Sequence, residues 1–271
     1  MRANATVKIF LSILILIVIN FPIFAGEKKF VTKEEFHIAE ARQGIAVDEN
    51  YIYVIGTREI GKYNKITHEF VNKWAEADDG PIKHLDSGVI IDGKLYCAHS
   101  NYPEIPMTSS IEIWDAKTLE HIESHSFGIY RGSCTWADYS NGYWYAAFGH
   151  YKKWKHLTGK DASWTSIVKF DQNWMELESW VLPNNVVEKF EKMSNSGGSF
   201  GPDNLLYCSG HDAPELYVLK FPQMGSILEL VEIMPINIAG QGIAWDRSNP
   251  NYIYGIIKKE KKVIISELVD K

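Results

Sequence analysis

Cysteine is scarce: Cys97, Cys134 and Cys208 are the only three in 271 residues. An odd count leaves at least one thiol unpaired, and no two have zinc-finger spacing. Cys97 and Cys208 follow Tyr96 and Tyr207 at matching places in the chain, so with Cys134 they read as small buried hydrophobes. A glycine-rich phosphate loop, a nucleophile elbow and a paired-cysteine cofactor motif are missing, which leaves nucleotide and haem chemistry without support. Basic charge is short as well. The 28 Lys and Arg against 34 Asp and Glu give a net charge of −6. An acidic body repels phosphate backbones, so no nucleic acid is expected as a partner.

A hydrophobic run long enough to span a bilayer is also lacking. The apolar stretch Ile9 to Ile19 is short and ends at Asn20 and Pro22. With Arg2 and Lys8 around its start and Phe24-Ala25-Gly26 after it, residues 1–25 read as a cleaved signal peptide. That predicts one domain over residues 26–271, periplasmic or secreted, with no stable membrane insertion after cleavage. Removing Arg2 and Lys8 takes the charge from −6 to −8. The rest is 45% hydrophobic and 13% aromatic over the whole sequence, enough for a sizeable core and unlike a disordered chain.

What is abundant is a repeat. SGVIIDGKLYCAHSN from Ser87 has variants starting at Gln43, Ser133, Ser199 and Gln241. Each holds a small residue, an apolar run, an Asp at a turn and a second apolar run. The aspartates Asp48, Asp92, Asp138, Asp203 and Asp246 are 44, 46, 65 and 43 residues apart. A period in the low forties with four short strands per unit is the signature of propeller blades. The turn aspartates recur in every unit and read as Asx-turn residues. Alternation predicts inner strands at Gly44–Val47, Gly88–Ile91, Cys134–Ala137, Ser199–Phe200 and Gly242–Trp245. The fifth unit lacks an outer strand, and Glu34 to Ala39 would supply it, closing the ring and covering two sheet edges. The expected fold is an all-β, five-bladed propeller closed by an N-terminal strand. The repeats resemble those of the broad propeller group that includes lactonase-like and quinoprotein-like proteins. That resemblance implies the fold and carries over no active-site residue.

Connections between a blade's second and third strands, and between its outer strand and the next blade, lie on one face of a propeller. The long segments His99–Ser110, Gly149–Thr165 and Pro183–Gly198 all fall there. Long loops cost little closure entropy and commonly carry function. A short helix is expected over residues 184–193. His99, His150 and His211 end the second strands of three consecutive blades. Arg42, Gln43, His84, Ser87, Arg131, Asn195 and Gln241 stand at the inner-strand entrances, and Trp154 sits in the basic loop Tyr151–Lys160.

The sequence expectation is a convergent axial site in which the three histidines serve as proton carriers or ligands of one divalent metal (zinc, manganese or calcium). The arginines would hold an anion, and Trp154 would offer a stacking surface. The function expected is hydrolysis, elimination or isomerisation of a small anionic sugar, lactone or organic acid. The alternative is a non-catalytic, single-site lectin- or sensor-like propeller for a small-molecule or oligosaccharide ligand. The differing strand ends Arg58, His99, His150, His211 and Lys258 favour one asymmetric site over five equal ones.

Overall fold

The computed structural model describes residues 27–270; the expected signal peptide, residues 1–25, lies outside them. Twenty strands form five four-stranded antiparallel sheets. The chain starts with β1 (Lys28–His37). Blade one is β2 (Gly44–Val47), β3 (Tyr51–Ile55), β4 (Glu59–Asn64) and β5 (Phe70–Ala75). Blade two is β6 (His84–Ile91), β7 (Lys94–Ser100), β8 (Ser109–Asp115) and β9 (His121–Gly128). Blade three is β10 (Ser133–Ser140), β11 (Tyr143–Gly149), β12 (Ser166–Phe170) and β13 (Glu176–Val181). Blade four is β14 (Gly197–Phe200), β15 (Leu206–Ser209), β16 (Glu215–Lys220) and β17 (Glu229–Pro235). Blade five is β18 (Ala244–Trp245), β19 (Tyr252–Ile257) and β20 (Lys262–Asp270), completed by β1, which pairs antiparallel with β20 from Lys28↔Asp270 to His37↔Lys262. The chain is a five-bladed β-propeller closed by its N-terminal strand. That strand is longer than Glu34 to Ala39 and starts earlier.

The period-two alternation explains why the inner strands read as continuous apolar runs: both of their faces are buried. Ile45 and Val47 face the seam with blade five, where Tyr254 and Ile256 wait. Ala46, with Tyr53 and Ile55, faces Leu95 and Trp114 of blade two. Five apolar clusters fill the five seams in this way. The three cysteines are unpaired and buried in three of them. Burial raises their thiol pKa values, so they are unreactive.

The turn aspartates act locally. Asp48 Oδ1 accepts from the Asn50 and Tyr51 amides, and Asp246 Oδ1 from those of Ser248 and Asn249. Asp138 does more. Its carboxylate accepts from the Phe200 amide and the Arg247 guanidinium, tying blades three, four and five on the turn face. The axis there leaves a void of only about 10 Å³, room for a single water at most. The inner strands therefore nearly close the axis on that side.

Three local expectations differ. β18 is two residues rather than four, because Gly242 donates its amide to Gln43 of blade one instead of staying within its own blade. The turns on the axial plug's face are short except in blade four, where residues 221–228 reach out to bond Val181 through Ser226 and Leu228. A helix does form at Asn184–Val187, continued at Glu188–Phe190, and buries Val186 and Phe190. Its N-cap is Pro183, with no side-chain cap bond.

Candidate functional site

The axial end of the long-loop face is built around β6. Leu85 pairs with His99 and Gly88 with Cys97, so Asp86 and Ser87 together oppose Ala98. Such a bulge bends a strand and re-aims its side chains. Ser87 is buried against Gly44 and Gly242 at the axis. Asp86 is turned upward, with about 11% of its side chain open to solvent. Burial drives its carboxyl pKa well above the ordinary range, and the Lys258 ammonium pulls it partly back. Lys258 is itself lowered by burial, opposed by Asp86 and Asp212. His84 Nε2 is 3.7 Å from Asp86 Oδ1. Burial, then the charges of Lys258 and its neighbours, lower the His84 pKa to about 4, so the ring is neutral at pH 7. The buried Tyr151 hydroxyl is raised first by burial and then by Asp86.

Two of the long loops meet over this cluster. Tyr102 lies 4.7 Å from the His84 ring and 5.1 Å from Trp154, which is 5.2 Å from Tyr151. Lys153 sits 4.4 Å above Trp154 and 4.7 Å above Tyr102, and hydrogen-bonds the Tyr102 hydroxyl. A cation over a cluster of aromatic faces links the loops and leaves a half-apolar, half-charged rim.

The expected residues divide. His84, Arg42 and Trp154 belong to this end, where Asp86 and Lys258, not among the expected site residues, join them; Arg42 is exposed and within electrostatic reach of Lys258. The structure does not bring His99, His150 and His211 together: each lines its own hollow. His99 lies between blades one and two. Its Nε2 accepts from the Lys83 amide, so Nδ1 carries the proton and donates to Ser110 Oγ at 2.8 Å. Ser110 in turn donates to buried Glu112, which also accepts from Ser124 and His121. Both ring nitrogens are thus engaged within the protein, and neither is open to a ligand. His150 is buried in a hollow between blades two and three. His211 Nδ1 is 2.7 Å from Asp212, and its charge is felt at His84.

Among the described residues no group of three or more His, Cys, Asp or Glu is placed to hold a metal ion. The residues do not fit the divalent ion expected of them. Gln43, Asn195 and Gln241 are tethers: Gln43 to Thr57, Asn195 to Trp136 and the Gly197 and Ser209 carbonyls, Gln241 to the His211 carbonyl. Arg131 turns outward to Glu176 and the rings of Phe148 and Phe170. Asp86 and Lys258 were visible as polar residues at an inner-strand entrance and a second-strand end. Their electrostatic coupling was not, because the bulge and the blade-five approach depend on register.

The lowered histidines make an acid-lability prediction. His84 and His150 both fall to about 4, each chiefly through burial, and His99 is lowered by burial against Glu112. A folded pKa below the unfolded one means the stabilisation is complete above about pH 6.5 and is lost as pH falls toward the folded value. At roughly 2–3 kcal/mol each for His84 and His150, Tm should drop by on the order of 10 °C between pH 7 and 4.5. Asp86, raised rather than lowered, opposes this only in part. Calorimetry across that range checks it; a flat Tm would contradict the neutral, buried state of these rings.

No family model and no curated protein matches the chain. Among solved structures it is similar to the PQQ-bound aldose sugar dehydrogenase of Streptomyces coelicolor, with 9% identity, 90% of this chain and 99% of that one covered, and a TM-score of 0.54. It is also similar to XC5397 of Xanthomonas campestris, described as a gluconolactonase, with 10% identity, 83% and 71% coverage and a TM-score of 0.50. What they share with this chain is the propeller. At such identities the likeness shows the fold alone.

Proposed function

We propose that the axial end of the long-loop face is one asymmetric site acting on a small anionic sugar or a lactone by proton transfer, in a protein exported on the strength of its first 25 residues. The observation that supports this best is Asp86: a carboxyl delivered by a bulge to a nearly dry floor, within electrostatic reach of Lys258, with its pKa raised well above the ordinary range by burial. A buried carboxyl whose pKa is raised is a stronger proton acceptor than an exposed one, which suits it to general acid-base work on a bound substrate. Lys258 stands where negative charge on a reacting oxygen would be stabilised. Arg42 and Lys153 at the mouth attract a substrate carboxylate. Tyr102 and Trp154 offer ring faces to the C–H side of a sugar. His211, oriented by Asp212, is a second proton carrier at the edge. The fold neighbours named for aldose sugar and gluconolactone chemistry motivate the choice of first ligands.

Burying Asp86 costs stability, and the sign is definite. Its folded pKa lies above its unfolded one, so its contribution is favourable only at low pH and is lost as pH rises through the folded value. Asp86→Asn should therefore raise Tm at pH 7.5, by about 2–8 °C if ~1–2 kcal/mol is recovered. The same change should reduce turnover at least ~100-fold. The experiment is a thermal-shift and turnover screen of glucuronate, galacturonate and aldonolactones on both proteins. A Tm gain with lost turnover supports the site. No Tm response to any of these ligands, or turnover within tenfold of the parent after Asp86→Asn, would overturn it.

A further inference from the structure

We propose that the hollow between blades two and three is a second binding site, distinct from the axial one, for a small aromatic or aliphatic carboxylate. It measures about 240 Å³ and is walled by Ile105, Met107, Ile129 and Leu157, with His150 and Lys160 among its few polar lining groups. An apolar cavity of roughly 150 Å³ already accommodates benzene, so a ring with a short acidic arm fits here. Three of the walls are aliphatic side chains left open to solvent: Ile105 at 39%, Ile129 at 46% and Leu157 at 62%. Clustered exposed aliphatics around a concavity are a recurrent mark of a ligand site.

The polar groups set the ligand's charge. Lys160 has no carboxylate within ion-pair distance among the described residues, and its ammonium sits over the Trp164 ring at 5.2 Å. It repels a cation and favours an anion. His150 is buried at 6% exposure, and its Nδ1 has no hydrogen-bond partner among the described residues. An unpartnered buried polar atom is costly unless something completes it. Gly132, at φ 108°, lies against this ring: a Cβ there would be 2.9 Å from Nε2, so the glycine makes the room in which the histidine sits. Burial, and then Lys160, keep the imidazole neutral down to about pH 4, so the ring lines the hollow without adding charge. A sugar would leave most of its hydroxyls unmet by these aliphatic walls. The loop carrying Leu157 and Lys160 also carries Lys153 and Trp154, which turn to the axial rim instead.

The test is a titration of the full chain with phenylacetate and its neutral isostere phenylacetamide, followed by ligand-observed NMR and calorimetry. A ten-atom ligand should bind one site with a Kd of about 0.1–1 mM. Phenylacetamide, Lys160→Met and Leu157→Asp should each weaken binding about tenfold or more, since each removes a charge pairing or the apolar wall. Asp86→Asn should leave the affinity unchanged, which separates this site from the axial one. No saturation up to about 20 mM, equal affinity for the amide, indifference to Leu157→Asp, or loss of binding in Asp86→Asn would each overturn the proposal.

Discussion

Replacing Gly242 with alanine should destabilise the protein by at least ~3 kcal/mol and lower Tm by about 6–12 °C. The new Cβ would lie 2.7 Å from Gly44 Cα and 2.7 Å from Ser87 Oγ. Gly44 is in the same position: its own Cβ would fall 2.9 Å from Ser87 Cα and 3.3 Å from Gly242 Cα. Three blades thus meet at the axis, and although the Ser87 hydroxyl can rotate, the Gly44 backbone cannot swing away to make room. The methyl group must widen the ring or shift an inner strand, and in a packed interior such strain spreads. Gly149→Ala is the control. Its nearest contact is a Thr135 methyl at 3.3 Å, so a loss of about 1 kcal/mol or less is expected. Equal midpoints for the two variants in chemical denaturation would show that the axis is not tightly packed. Because Ser87 adjoins Asp86, the Gly242 variant should also disturb the axial site.

Removing residues 28–37 should have the largest effect of all: loss of cooperative folding, or a Tm lowered by more than about 15 °C. β1 is mostly solvent-facing, with only Phe30 and Phe36 half-buried, so its contribution is not a large area of its own. It lies in what it covers. β20 would become an edge with its full row of backbone groups unpaired, next to the buried Val263, Ile264 and Ile265. Phe30 would leave the Trp245 ring, now 6.0 Å away, and Phe36 would leave His68, on which it stacks at 3.7 Å. Two seams, between blades four and five and between five and one, would lose lining at once. A peptide of residues 27–39 added in trans should restore much of the fold by strand addition. A truncated protein that melts within about 3 °C of the parent would mean that blade five is stable with three strands.

The repeat and the closure were legible because they rest on local patterns. An Asp at each inner turn and period-two alternation marked most strands to within one or two residues. Among the inner strands β6 and β10 strayed most: β6 starts at His84 rather than Gly88, and β10 runs on to Ser140 rather than ending at Ala137. The closing strand was found because the fifth unit was one strand short. The candidate site was legible only in part. Strand ends tell which face a residue is on, and His99, His150 and His211 are indeed on strand ends of one kind. They do not tell how far from the axis it sits. Second-strand ends differ in this respect: His99 is locked in a seam by Lys83 and Ser110, whereas Lys258, at the end of β19, comes within electrostatic reach of Asp86.

What the sequence determined by itself is therefore the architecture: an all-β chain, five units, the order of the strands and the face that carries the long loops. Each of these follows from periodicity and turn chemistry, which act over a few residues at a time. What only the tertiary structure decided is which polar groups meet. Asp86 points to the axis because of a one-residue bulge against Ala98, Lys258 reaches it from the opposite end of the chain, and the axis is shut because three glycine and serine backbones pack in contact. Register, radial distance and burial are properties of the closed ring, and they set the charges that give the site its chemistry.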